Sequence, residues 1–423
     1  MNEYDSAKIV AIMQHHGFTV TENYDDADVI ILNTCSVRAK AEEKLFSELG
    51  MLRKIKNLRP TLIIGVGGCV SVQEKENIFR RAPYVNFIFG PQTYHLVPKM
   101  YEAALQQNKT IDVSFPQLDK FNYFPKPKLK LPTAFVTIIE GCNHFCSYCV
   151  VPFTRGREIS RPLSDIMQEV EELAKQGAKE IYFLGQNVNN YCDQTHANLV
   201  TLVQQTAAID TVKRIRFITS HPQTFSNELI ELFKEPKVAN HFHLPIQSGA
   251  NRILKIMRRG YTVEEYAEII RQLRTLRPNI SVSSDFIVGF PGETEEDFNA
   301  TLDIVRTIPI DTSYCFMYSP RPNTLAAKLK DDVPLSEKKR RLALLQNELK
   351  IQAKKISDAM LASNQTILVA NISKKKANEL SGRTENNRIV HFKIEEPAEN
   401  LLGEMVQVKI TAALDNCLRG ELV

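Results

Sequence analysis

Apolar residues recur along this chain in two rhythms, and the rhythm changes where the architecture should change. Over residues 1–105 short unbroken apolar runs alternate with amphipathic stretches. Asp28–Asn33, Thr61–Val66 and Val85–Phe89 are the runs, each of a length that suits a buried strand. Ser6–Gly17, the Glu/Lys-rich stretch from Ala39 and the one starting near Thr93 carry helical spacing. Strand alternating with helix predicts an α/β unit with a parallel sheet. Its first element is a helix, whereas a parallel sheet is built from strand–helix–strand crossovers. The strand expected before Ser6 has no residues here to make it.

Residues 106–132 break the pattern. Phe115-Pro116, Phe124-Pro125-Lys126-Pro127-Lys128 and Leu131-Pro132 read as a linker, basic through five lysines against two aspartates. The βα rhythm resumes over 133–362. Six strand-like runs are expected: Ala134–Glu140, Glu180–Leu184, Arg214–Thr219, His241–Ile246, Ser281–Val288 and Ser313–Tyr318. Ser164 is the expected cap of the first helix, and Thr294 with Asp297 that of a later one. Six such units predict a partial (β/α)6 barrel with its working face at the C-terminal ends of the strands. A charged helix, Ser336 to about Ala362, leaves it. Over 363–423 the period becomes that of strands: Thr366–Val369, Arg388–Phe392 and Met405–Ile410, with Gly, Asn and Pro between. This predicts a small OB-like β-barrel of the kind that binds RNA. Lys374-Lys375-Lys376 is its one basic run, read equally well as a solvated turn or an RNA contact.

Charge and composition add limits. A net charge of +4 is too slight to argue for nucleic acid by itself, and 43% hydrophobic with 24% charged residues is ordinary for a globular protein. No apolar run approaches the roughly 18 residues of a membrane helix, and the start lacks a secretory h-region, so a cytoplasmic protein away from membranes is expected. Eight cysteines lie at 35, 69, 142, 146, 149, 192, 315 and 417. Three within eight residues, in a cytosolic chain, read as metal binding or catalysis rather than disulfides.

Those three form Cys142-x3-Cys146-x2-Cys149 just after a strand. Zinc is the plain alternative, but it wants four closed ligands, and His144 sits awkwardly between the cysteines. Three thiolates on one loop suit a [4Fe–4S] cube with one iron left open. An open iron can chelate S-adenosylmethionine, whose reductive cleavage yields a 5′-deoxyadenosyl radical; the cofactor carries that chemistry. Cys35 and Cys69 each sit just past the C-terminal end of a strand, at the sheet edge where α/β folds bind ligands.

The loop resembles that of the radical S-adenosylmethionine superfamily, with Tyr148 in its aromatic place. Further stretches resemble the methylthiotransferase family: Asn33–Arg38, Gly65–Cys69, Cys149–Arg157, Leu184–Val188, Leu244–Gly249, Asp285–Thr294 and Tyr318–Pro322. Met1–Ser6 and Phe89–Gln92 resemble the branch that acts on tRNA. The resemblance covers essentially the whole chain. It implies a flavodoxin-like N-terminal domain (1–105, first strand missing), the linker, a radical core (133–362) and a TRAM barrel (363–423). It implies Cys142, Cys146 and Cys149 on the radical cluster, and Cys35 and Cys69 on a second [4Fe–4S] cluster. It places Tyr148 against the adenine of S-adenosylmethionine, and Gln186, Gln247, Ser248 and Gly289 among the cofactor contacts. The implied reaction puts a methylthio group on C2 of an isopentenylated adenosine beside the anticodon. The partners would be tRNA, S-adenosylmethionine, an electron donor and a sulfur source, with the enzyme a monomer.

One departure stands out. The family's second cluster uses three cysteines, the third two residues before the Met-Asn-Glu-Tyr-Asp-Ser motif, and this chain starts at that methionine. The expectation is an upstream in-frame segment ending in Cys-Gln; the rival is a polypeptide without a proper second cluster. That rival leaves an RNA-binding iron–sulfur protein without sulfur transfer. A third reading keeps the enzyme and changes the substrate, to another modified adenosine or a protein side chain. Cys192, Cys315 and Cys417 match no ligand position, and Cys315 reads as a small buried hydrophobe. His221 and His243 sit at strand ends and read first as structural. Glu293 reads as a first-turn helix acid.

Overall fold

The computed structural model describes residues 1–36, 39–115, 121, 129, 131–373, 378–394 and 398–423. Most of the linker and the Lys374-Lys375-Lys376 run lie outside the described residues. The chain forms two compact units. The first takes in residues 1–127, 140–159 and 319–327; the second takes in 128–139, 160–318 and 328–423.

In the first unit, helix α1 (Asn2–His15) leads to strand β1 (Val29–Thr34), helix α2 (Ala39–Leu58) and strand β2 (Ile63–Gly68). Short helices α3 (Cys69–Glu74) and α4 (Asn77–Arg81), strand β3 (Phe87–Phe89), helix α5 (Val97–Leu105) and strand β4 (Thr110–Asp112) complete it. The four strands are parallel in the order β1-β2-β3-β4. Alternation sorts the side chains onto two faces. Ile64, Val66 and Ile88 meet Leu45, Leu49 and Leu52 of α2 on one. Ile63, Phe87 and Phe89 meet Ile9, Ile12 and Met13 of α1 and Val97 and Met100 of α5 on the other. β4 falls in the stretch read as linker, because a run of three residues carries no period.

The second unit contains six parallel strands, as the periodicity predicts. Strand β5 (Thr133–Thr137) comes first; β6 (Ile139–Glu140) and β7 (Ile159–Ser160) are two-residue pieces on either side of the cysteine loop in the chain. Then come β8 (Glu180–Leu184), β9 (Arg214–Phe217), β10 (His241–His243), β11 (Ser281–Val288) and β12 (Thr312–Met317). They pair as β5-β8-β9 and β10-β11-β12, and a parallel bridge from Ile215 to Val238 extends the first sheet toward β10. Ile181, Phe183, Ile215, Phe242, Val282 and Phe286 point outward into one large core with the surrounding helices. Two cap readings fare differently. Thr294 caps its helix (Glu295–Thr307) in a reciprocal box with Asp297. Ser164 does not cap the helix Leu163–Lys175: Pro162 holds the cap position, and the Asp193 carboxylate accepts from the Leu163 amide instead, at 2.9 Å. A distant carboxylate does the work assigned to a neighbouring hydroxyl.

A long helix (Leu335–Asp358) leads to the terminal barrel, strands β13 (Asn364–Ile372), β14 (Glu379–Arg383), β15 (Ile389–Lys393), β16 (Met405–Ala413) and β17 (Leu418–Leu422). They close in the order β13-β14-β15-β17-β16. Five strands appear where the pattern showed three. β14 and β17 carry Gly382 and Gly420 at positions where a Cβ would stand 2.1 Å from Leu368 O and 2.4 Å from Val408. Strand glycines at such close approaches blur an alternating pattern.

Candidate functional site

Register, not sequence proximity, brings the first two cysteines together. Thr34 of β1 pairs with Gly68 of β2, so Cys35 and Cys69 are the next residues past one rung of the sheet, at its C-terminal edge. The turn there needs glycine. Gly68 has φ +92°, and a Cβ on it would lie 2.2 Å from Thr34 O. Cys35 is half-buried and Cys69 buried. Among the described residues no group of three His, Cys, Asp or Glu side chains forms around them.

The three-cysteine loop lies in this same unit. Cys142 donates its amide to Gly156 O (3.3 Å) and Cys149 to Cys146 O (2.9 Å), while Asn143 Oδ1 accepts from the Glu158 amide (3.2 Å). Ser147 O accepts from the Ala326 amide at 2.7 Å. The loop is braced at both ends and in the middle. Cys146 is buried, Cys142 and Cys149 half-buried, and Tyr148 and His144 half-buried beside them. Phe145, at φ +47°, turns outward and meets Phe153 edge-on. Among the described residues no three His, Cys, Asp or Glu side chains form a group that could hold a single metal ion.

Sequence reasoning missed a buried charge network in this unit. Arg155 follows the short helix α6 (Val151–Thr154), which packs on α3. Its guanidinium makes an ion pair with Asp5 of α1 and lies 3.8 Å from Glu140, the residue that opens the loop. Gln92 donates to Glu140 (2.9 Å) and to Arg155 O (3.0 Å). All four side chains are buried. Burial alone would lower the Arg155 pKa; Asp5, then Cys69 and Glu140, reverse that and hold it well above its ordinary value. The signal was present as Asp5 in an otherwise apolar helical stretch and Gln92 after a strand, but nothing local pairs them.

The remaining expected site residues lie in the second unit, past the C-terminal ends of its parallel strands. Gln186 follows β8 and is half-buried. Gln247 follows β10 at φ +75°; its amide donates to Asp285 O and its carbonyl accepts from the Ile287 amide, each at 2.9 Å. Ser248 is fully enclosed, and its hydroxyl accepts from the Ala250 amide at 3.2 Å, so that oxygen serves a turn. Gly289 directly follows β11 and donates its amide to Glu293 Oε1 at 2.8 Å. Glu293 is therefore more than a first-turn acid. It is buried, holds that turn and takes 2.7 Å contact from Arg341. Burial raises its pKa, against the pull of the Gly289 amide and Arg341. His221 is buried, with Nδ1 accepting from the Gln223 amide at 3.3 Å. Cys315 is half-buried, its thiol pushed up to about 11 by burial.

A second missed network lies at the opposite rim of these strands. Glu180 accepts from Arg216 Nε (2.7 Å) and lies 3.5 Å from Arg214. Both arginines donate to backbone carbonyls of the terminal barrel: Arg214 to Arg383 O (2.9 Å), and Arg216 to Thr384 O (2.7 Å) and Glu385 O (2.8 Å). Arg388 of the barrel pairs with Asp311. Glu-Ile-Tyr-Phe-Leu and Arg-Ile-Arg-Phe, charged at strand starts, were the available signal.

Known proteins bear on this geometry. The Radical SAM superfamily profile matches residues 136–305, that of the TRAM domain 359–423, and that of Uncharacterized protein family UPF0004 residues 1–90. A radical S-adenosylmethionine methyltransferase, TsrM, from Kitasatospora setae shares the fold, with TM-score 0.58 at 15% identity over 77% of this chain and 72% of that one. The cobalamin-dependent S-adenosylmethionine radical enzyme OxsB gives 0.55 at 13% identity over 83% of this chain and 53% of that one. The Radical SAM profile and the cysteine loop thus define a radical S-adenosylmethionine enzyme. Full-length relatives narrow the class. Proteins named tRNA-2-methylthio-N(6)-dimethylallyladenosine synthase from Coxiella burnetii (strain Dugway 5J108-111) and Legionella pneumophila (strain Corby) are 52% and 51% identical, over 100% of this chain and 97% and 96% of theirs. The chain belongs to that family of tRNA methylthiotransferases.

Proposed function

We propose that this enzyme transfers a methylthio group to C2 of N6-isopentenyladenosine next to the anticodon of tRNA, acting as a cytoplasmic monomer with an external electron donor and sulfur source. The observation that carries this is the braced loop of Cys142, Cys146 and Cys149 in a chain with full-length relatives of that name. Those thiolates suit a [4Fe–4S] cluster; with S-adenosylmethionine bound, it would supply a 5′-deoxyadenosyl radical. This chain's residues orient and shield. Tyr148 offers a ring for the adenine, and Gln186 and Gln247 offer amides at the strand ends. Gly289, held by Glu293 and packed on the Lys338 stem, would set the turn beside the cofactor. Ser248, enclosed as it is, supports the Gln247 turn. Cys35 and Cys69, set side by side by the sheet, would hold a second iron–sulfur cluster, completed by a ligand beyond these two. The terminal barrel would grip the RNA backbone.

The test is product formation. Anaerobically reconstituted protein with S-adenosylmethionine, reductant and isopentenylated tRNA should give 5′-deoxyadenosine, and 2-methylthio-isopentenyladenosine in the digested RNA. Deoxyadenosine without any methylthio nucleoside would leave radical chemistry and refute the transfer. No helix among the described residues is long and apolar enough to cross a membrane.

A further inference from the structure

The concave face of the second unit is built unlike the filled interior of a closed barrel. Since Ile181, Ile215, Phe242, Val282 and Phe286 face the helices, their neighbours Tyr182, Arg216, His243, Ser283 and Asp285 face inward. A closed (β/α)8 barrel fills that space with branched aliphatic side chains. Here it carries aromatic rings with free surface: Tyr314 is 50% and Phe135 39% exposed. Phe135 lies against Tyr182, ring centres 5.4 Å apart, and Tyr314 stands edge-on to His243 at 6.5 Å.

Arg216 lies beside the Tyr182 ring, 5.8 Å from its centre, and a second polar group, His243 with Asp285, lies by Tyr314. His243 is oriented through Nδ1, 2.9 Å from Ser283 Oγ. Its Nε2 is 3.6 Å from Asp285 Oδ2, too long for a hydrogen bond, so the imidazole and the carboxylate keep capacity toward a third group. Asp285 pairs in register with Tyr314, which places the polar pair and the exposed ring side by side. Asp285 Oδ1 is enclosed, without a hydrogen-bond partner among the described residues, and it is Oδ2, the oxygen beside His243, that stays open.

We propose that this concave face takes the target base itself: Tyr314 stacks on the adenine ring, His243 and Asp285 read its Watson–Crick edge, and Phe135, backed by the buried Tyr182, takes the apolar N6 arm. N6-alkyl adenine presents an acceptor at N1 and one N–H at N6. An Nε2–H beside a carboxylate matches that pair, whereas guanine presents the acceptor and the N–H in reverse order. A base is reached by such a site only when taken out of its stack, and an aromatic face offsets the lost stacking. Tyr314, His243, Asp285 and Phe135 thereby determine specificity. The proposal rests on the functional reading above.

Binding of a synthetic fluorescent anticodon stem–loop tests it, with isopentenyladenosine, adenosine or guanosine at the target position. The parent protein should prefer the isopentenyl loop. Tyr314→Ala should weaken that loop about tenfold while Tyr314→Phe stays within about twofold, because stacking needs the ring and not the hydroxyl. Asp285→Ala should cut the preference for adenosine over guanosine about tenfold. Thermal melting checks that each variant is folded, and Tyr314 is exposed enough to be replaced without a buried void. If the parent prefers the isopentenyl loop and folded Tyr314→Ala and Asp285→Ala bind as the parent does, the base lies elsewhere and the proposal is overturned. A parent without that preference overturns the functional reading, and this proposal with it.

Discussion

The two cysteine groups of the first unit are assembled by opposite means. Cys142, Cys146 and Cys149 come from eight consecutive residues, and their spacing is set within one loop, braced by Gly156 and Glu158 close in sequence and by Ala326 far from it. Cys35 and Cys69 are 34 positions apart and meet because β1 and β2 pair with Thr34 opposite Gly68. A local site survives small changes elsewhere; a site made by register depends on the sheet and on the glycine that ends its strand. The buried Arg155 network holds elements of both, with Asp5 on α1 and Glu140 at the start of the loop.

Removing the local group should have the largest effect. Cys142, Cys146 and Cys149 changed together to Ala should abolish 5′-deoxyadenosine formation, measured by chromatography after reduction. Cys35→Ala with Cys69→Ala should keep deoxyadenosine and lose methylthio transfer.

Next in size is Arg155→Met. It takes the guanidinium from the buried Asp5 and Glu140, and should cost about 3–5 kcal/mol in chemical denaturation of the whole chain. Gly68→Ala follows. Its Cβ would press on the Thr34 carbonyl at a positive φ, so a loss of about 1–3 kcal/mol is expected. Iron bound by the loop should survive that change better than iron bound at the register pair.

The smallest effect separates reactive from inert thiols. Burial pushes Cys315 up to about 11, so its thiolate is scarce at pH 8. Cys192 is exposed. Iodoacetamide followed by peptide mass spectrometry should label Cys192 first and leave Cys315 last; labelling of Cys315 should accelerate as pH rises toward its pKa.

What could be read from the chain follows the same division. The six strands of the half-barrel were legible because buried parallel strands are continuous apolar runs, and the cysteine loop because its ligands are neighbours. Thr294 was legible as a cap because its partner, Asp297, is three residues away. Features joined over long distances were not. Asp193 capping Leu163, Glu180 with Arg214 and Arg216, and Asp5 with Arg155 each need the fold before the partners can be named. Strands β14 and β17 were hidden by the glycines that let the barrel close.

Nucleoside mass spectrometry of bulk tRNA from cells lacking this protein reads the transfer in its own setting. Isopentenyladenosine should accumulate and its 2-methylthio derivative disappear, with restoration by the intact gene and not by the triple Cys142, Cys146 and Cys149 to Ala form. An unchanged 2-methylthio-isopentenyladenosine peak, with a methylthio group lost from another nucleoside or protein, would contradict it.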